Sequence, residues 1–372
     1  MLGAAGQTVL AAQYRATAAR LKAKIRAAPI GCPPSKPGCS YATSLALHSA
    51  AHGINAGIVT AAEVPGLIGR LFNDSVTVCS LSPFNTFYIV QALANTGHYE
   101  LALATVARCW EPITRLGHGC MWELFSPEWT ASMHAGEKAP SRPSFCHPWS
   151  SGATAFLTKF ALGVAPTKPG FEAVSVTPFA SAAWPTIGGT VGVQAGTSLL
   201  NVSAKYAAIA SGATATISLQ TPVPAEVGAA ASDANGCALR GLSTGGGSPL
   251  KTVRRNRSAL SGLYAYTATL PPGAHIVVAH YACAAGRAKA AATAAPALNS
   301  TYPFPSARYP VTSIAIDNTT RGGGWKAKGY GREAYALFGF DKGINWPRRR
   351  PTECTSPPDL SSTAFLLAAA AG

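Results

Sequence analysis

The chain changes its texture once, at Gly163, and that change limits it to folds with a helical part followed by a sheet part. Ahead of Gly163 the apolar residues recur at helical spacing between helix start and stop signals. Residues 7–27 are rich in Ala, Leu, Lys and Arg, all strong helix formers, and Val9, Ala12, Ala16, Ala19 and Ala23 fall on one face. The run 29–39, PIGCPPSKPGC, cannot continue that helix. The pattern then predicts a helix over 41–52 that stops at Gly53, and one reaching residue 72 from a Thr60/Glu63 capping box. A further helix starts behind Ser82 and Pro83 and stops at Gly97, and two more cover 98–110 and 150–162. After Gly163, residues 170–284 are dense in Val, Thr, Ile, Gly, Ser and Pro. Runs such as FEAVSVTPF, TIGGTVGVQA, SLLNVSAKY, TATISLQTPV, LYAYTATLPPG and HIVVAHYA read as short strands of an antiparallel sandwich.

Six consecutive helices with glycine stops suggest antiparallel hairpins, as in a bundle or a helical toroid. Periodicity alone does not separate the two, and no clean repeat is present. The expected organisation is a helical unit over 1–162, a β-sandwich over 163–285 and an Ala-rich linker over 286–310. A Gly/aromatic cluster suggests the start of another β module over 311–345, and 346–372 reads as a disordered tail.

With 48% hydrophobic and 12% charged residues, the 372-residue chain can bury a sizeable core. Its net charge of +15 is spread as +5, +4 and +6 over 1–160, 161–285 and 286–372. No nucleic-acid-binding motif accompanies that charge, so no nucleic-acid partner is expected. Residues 43–62 lack Asp, Glu, Lys and Arg, but His, Ser, Asn and Gly interrupt them, which marks a buried helix and no membrane span. The opening MLGAAGQTVL lacks the basic start of a signal peptide. Localisation therefore stays open: extracellular if further sequence precedes Met1, cytoplasmic otherwise. None of the nine cysteines forms a C-x-x-C pair, so neither a metal nor a cofactor is expected. Cys32 and Cys39 bracket a Pro/Gly loop and can form a small disulfide. N-x-S/T acceptors occur at Asn73, Asn201, Asn256, Asn299 and Asn318, and they matter only in a secreted protein.

The richest stretch for chemistry is 119–152, GCMWELFSPEWTASMHAGEKAPSRPSFCHPWSSG. It sets Glu123 among Trp122, Phe125 and Trp129, and returns through Cys146 and His147 to Trp149. Aromatic faces stack on the apolar faces of sugar rings, and a carboxylate beside them can accept hydroxyl hydrogen bonds or activate water. The bland alternative is a loop glutamate near core tryptophans. Glu128 fits a solvated loop position and Glu111 a helix end. His48, His52, His98, His118 and His134 fit structural or surface roles.

Taken together, SPFNTFYIVQALANTGHYELALATVARCWEPITRLGHGCMWELF and FCHPWSSGATAFLTKFALGVAPTKPGFEAVSVTPF resemble the end of the catalytic domain of alpha-L-rhamnosidases, glycoside hydrolase family 78. The resemblance covers roughly residues 7–285. It implies a partial (α/α)6 toroid followed by a β-sandwich, and inverting hydrolysis of terminal alpha-L-rhamnosides in a rhamnose-containing glycan. It maps the general base onto Glu123, a sugar contact onto His147 and pocket walls onto Trp122 and Trp149. Two departures stand out. Position 148 is Pro where the family usually has Gly. The family's general acid lies in an acidic, Trp-containing segment far upstream, and none of Glu63, Asp74, Glu100 or Glu111 sits in such a context. The expectation is an N-terminally incomplete ring that is inactive without an upstream half. The alternative is an inactive glycan-binding or scaffold module using the same tryptophans.

Overall fold

The computed structural model describes residues 6–27, 38–72, 79, 82–115, 121, 123, 147–233, 236–256, 264–283, 311–317 and 364–369, with backbone alone for 111–115, 311–317 and 364–369. Helix α1 (Thr8–Ala27) carries Lys24 and Arg26 in its last turn, where cations offset the negative end of the helix dipole. Its apolar face is open: Val9 is 72% and Tyr14 62% exposed, and only Ala11 is buried. The helix is tied at its far end by Arg26, whose guanidinium donates to both carboxylate oxygens of Glu63 and to the Ile58 carbonyl, each at 2.9 Å.

The helix expected over 41–52 comes as two pieces, α2 (Tyr41–Ser44) and α3 (Leu47–Asn55). Contrary to expectation, α3 runs through Gly53, and the chain turns only at Gly57, with φ +65°. A Cβ at position 53 would lie 2.8 Å from the Tyr41 hydroxyl and 3.1 Å from Val59, so Gly53 serves close packing. Helical stretch α4 (61–72) starts in the predicted capping box: the Glu63 carboxylate accepts the Thr60 N–H at 2.8 Å and its hydroxyl at 2.9 Å. Helix α5 (Pro83–Asn95) starts behind Ser82, whose hydroxyl accepts the Asn85 N–H. The chain then reverses at Gly97, with φ +87°, into α6 (Tyr99–Arg115), which runs past the expected end. Stretch α7 (148–161) closes the helical part.

Polar ties hold these helices in register. The Asn55 amide donates to the Tyr88 carbonyl at 2.8 Å and accepts from Asn95 at 3.0 Å, joining α3 to α5. The buried Trp110 indole donates to the Ser150 carbonyl at 2.9 Å, joining α6 to α7. A disulfide, Cys79–Cys109, joins the approach to α5 to α6. Gly152 lets α7 close on α5, because a Cβ there would come within 2.6 Å of the Phe87 side chain.

The sheets begin at Gly163, whose φ of +71° is left-handed. Thr177 N–H donates to the Gly163 carbonyl at 3.0 Å and Phe179 N–H to the Ala161 carbonyl at 2.8 Å, so the first strands fold back onto the end of α7. Phe179 stacks on Tyr99 of α6 with centroids 4.9 Å apart. One sheet holds β1 (Val164–Pro166), β2 (Val174–Val176), β6 (Ala225–Ala230), β9 (Tyr264–Leu270) and β8 (Val253–Asn256), in that order. The other runs β12 (Ala364–Ala369), β11 (Val311–Asp317), β3 (Thr186–Val193), β4 (Ser198–Ile209), β5 (Gly212–Thr221), β10 (Gly273–Ala282), β7 (Ala238–Thr244). The sheets are mostly antiparallel, as the alternation implies, but β2–β6 and β11–β3 pair in parallel. Alternation sends Leu200, Val202, Ala204 and Tyr206 of β4 inward and Asn201, Ser203 and Lys205 outward. Buried residues of helices and sheets form one continuous apolar cluster.

Two outcomes test this framework. Gly163→Ala adds a left-handed penalty of about 1–2 kcal/mol to a Cβ placed 2.1 Å from the Thr177 carbonyl oxygen; urea unfolding should show a clearly lowered midpoint, and an unchanged midpoint would refute this backbone conformation. The Arg26 guanidinium holds the Glu63 carboxyl down to about 2, against the usual carboxylate value. A depressed folded-state value adds stability above the ordinary carboxylate range and loses it as pH falls toward the folded value. Stability should therefore decline between about pH 5 and 2, and Glu63→Gln should flatten that limb of the stability–pH curve.

Candidate active site

The site candidates gather where α5 and α7 both begin. The chain passes Met121 and Glu123 and returns at His147, and the two passes are pinned by the His147 N–H donating to the Met121 carbonyl at 2.8 Å. This brings the Glu123 carboxylate to 3.8 Å from His147 Nδ1, each side chain 29% exposed. That separation is longer than a hydrogen bond and short enough for an ion pair when the imidazole is protonated. Pro148 opens the first turn of α7, where its fixed φ and missing N–H suit the helix start. The departure from the glycine of the resembled family thus has a local structural use.

Trp149 lies one residue into that turn. Its ring sits 4.0 Å from the His147 ring, centroid to centroid, and 5.4 Å from Phe84 at the start of α5. Phe84 meets Tyr88 edge-on at 5.4 Å, and Tyr88 meets His52 of α3 at 4.8 Å. Trp149 is 44% and Phe84 39% exposed, so a line of rings reaches the surface beside the carboxylate. The close approach at Gly152 is what sets these rings from two helices side by side. Glu123, His147 and Trp149 are therefore brought together. Trp122 lies outside the described residues, as do Glu128, Trp129, His118, His134 and Cys146.

The remaining candidates take other places. Glu63 is committed to Arg26. Burial lowers the His98 imidazole, whose Nδ1 lies 3.0 Å from the Thr96 hydroxyl, and this fits a structural role. Burial also lowers His48, with help from nearby His52, and Nε2 of His48 is buried without a hydrogen-bond partner among the described residues.

No protein-family model matches the sequence, and no curated protein matches it. Solved structures do show likeness. An alpha-L-rhamnosidase from Dictyoglumus thermophilum matches at TM-score 0.48 and 12% identity, over 75% of this chain and 30% of that one. A native alpha-L-rhamnosidase from Aspergillus terreus matches at TM-score 0.48 and 14% identity, over 72% of this chain and 28% of that one. An alpha-L-rhamnosidase from Streptomyces avermitilis, complexed with L-rhamnose, matches at TM-score 0.39 and 16% identity, over 62% of this chain and 21% of that one. The chain thus spans less than a third of the length of each.

Sequence reasoning missed the outer part of the ring line. Phe84, Tyr88 and His52 read as ordinary helix residues, although Phe84 and Tyr88 sit four apart and so share a face. It also missed both described disulfides, Cys79–Cys109 and Cys237–Cys283, which span 30 and 46 residues and have no local signature. Cys39 is disulfide-bonded as well, while residue 32 lies outside the described residues. Asp233, Cys237 and Cys283 cluster closely enough to suggest a metal site. The two cysteines are joined to each other, however, and the Asp233 carboxylate accepts from the Tyr206 hydroxyl at 2.9 Å and the Cys237 N–H at 2.8 Å. The cluster is a structural staple.

Proposed function

We propose that the chain is the closing portion of a six-hairpin (α/α)6 glycosidase ring with its β-sandwich, and that it serves inverting hydrolysis of terminal alpha-L-rhamnosides. The observation that carries this reading is the half-buried Glu123 carboxylate, 3.8 Å from His147, whose ring in turn meets the exposed Trp149. Glu123 takes the proton from the attacking water. His147 beside it orients the carboxylate and a sugar hydroxyl. Trp149, with Trp122 assigned alongside it, offers the flat apolar wall against which a sugar ring stacks.

Inversion needs a second carboxyl group, roughly 6.5–9.5 Å from the first, to protonate the leaving oxygen. Glu63 is removed from that part, because Arg26 keeps it ionised far below neutral pH. We assign the acid to an upstream half of the same ring, the partner the resemblance implies. This assignment rests on the resemblance, and the residue roles rest on the local geometry. A second reading has its own support: the exposed rings of Trp149 and Phe84 could hold a glycan without any chemistry.

Calorimetric titration with L-rhamnose and hydrolysis of an aryl alpha-L-rhamnoside decide between these. Trp149→Ala should weaken binding by about ten-fold, ~1.4 kcal/mol. Glu123→Gln should keep binding and slow any turnover about 10²–10⁴-fold. Turnover untouched by Glu123→Gln would remove the base assignment. Saturable binding with no turnover, with or without the upstream half, would favour the glycan-binding module.

A further inference from the structure

Two described disulfides, Cys79–Cys109 and Cys237–Cys283, involve the buried Cys109 and Cys237. Bonds of this kind form and persist in oxidising compartments. Those compartments include the one in which Asn-x-Ser/Thr sequences accept oligosaccharide.

Asn201-Val202-Ser203 lies on β4. Alternation along the strand buries Val202 and turns Asn201 and Ser203 to the same outer face, both exposed. The Thr190 hydroxyl, on the neighbouring strand β3, donates to Asn201 Oδ1 at 2.7 Å. That contact uses the carbonyl side of the amide and leaves Nδ2 facing away. Around it the sheet face is a shallow depression of about 570 Å³, lined by small residues such as Gly188, Gly189 and Ala274 and by the polar side chains of Ser203, Ser218 and Gln220. Of the bulkier residues lining it, Val202 and Leu219 are buried, while His275 and Ile276 stand on β10, separated from Asn201 by β5.

We propose that Asn201 is an N-glycosylation site whose first sugar residues rest in this depression. In the transfer, Asn201 Nδ2 attacks C1 of an oligosaccharide carried on a polyprenyl diphosphate. The N–C1 bond forms, the C1–O bond to the diphosphate breaks, and the polyprenyl diphosphate leaves while the amide gives up one proton. No oxidant or reductant is consumed. Transfer takes place on the extended chain, and the fold must then tolerate the product. A sugar at Asn201 displaces no core residue, and the hydroxyl and amide groups of Ser203, Ser218 and Gln220 can replace its lost water hydrogen bonds.

The test is to direct the full chain into the endoplasmic reticulum of a eukaryotic host, recover it, and map peptides before and after enzymatic release of N-glycans. The expected result is a glycan at Asn201, its removal leaving Asp at that position. Asn201→Gln and Ser203→Ala should lose it, while Ser203→Thr, which keeps the acceptor pattern, should retain it. A disulfide-bonded chain recovered with Asn201 unmodified would overturn the proposal. So would a chain recovered with Cys79, Cys109, Cys237 and Cys283 as free thiols, since the oxidising premise would then fail.

Discussion

The structure turns on a backbone contact at Gly163. The last helical turn ends there in a left-handed conformation, and the chain comes back so closely that the Thr177 carbonyl occupies the space a side chain would need. Two hydrogen bonds, from Thr177 to Gly163 and from Phe179 to Ala161, close the return. Everything that joins the two architectures follows. Phe179 reaches Tyr99, β1 and β2 start beneath the helices, and one apolar cluster runs through both parts. A helical layer and a sheet layer that share a core in this way position each other, because close-packed interiors transmit displacement and do not absorb it.

The site inherits its geometry from the same packing. α7 leads into Gly163, and its beginning carries His147 and Trp149. Trp110 fixes that beginning from below through Ser150, and Gly152 allows it to lie against α5. The backbone bond between residues 121 and 147 then helps to hold Glu123 beside the imidazole. The imidazole and the exposed indole are thus placed by helix contacts, and the carboxylate by the backbone bond between His147 and Met121. Sites built on rigid elements keep their geometry better than sites built within loops.

Disulfides reinforce the two parts separately. Cys79–Cys109 closes the approach to α5 onto α6, and Cys237–Cys283 closes β7 onto the end of β10. Each ties a residue at the edge of an element to a neighbouring element, which limits local opening there. The Arg26–Glu63 fork does the same for α1, whose own apolar face stays in contact with solvent.

Local chemistry in the sequence was enough to mark the helix starts at Thr60 and Ser82, the stop at Gly97, the change at Gly163 and the inward–outward alternation of β4, because caps, glycine turns and strand periodicity act over a few residues. It also singled out Glu123, His147 and Trp149, which the structure brings into proximity. It misplaced the stop at Gly53, since a glycine kept for close approach to Tyr41 looks the same in sequence as one kept for a turn. It could not show the parallel pairing of β2 with β6, the partners of Cys79 and Cys237, or the line from Trp149 through Phe84 to Tyr88 and His52. Those features join residues tens of positions apart, and only the packing of one element on another brings such residues within contact range.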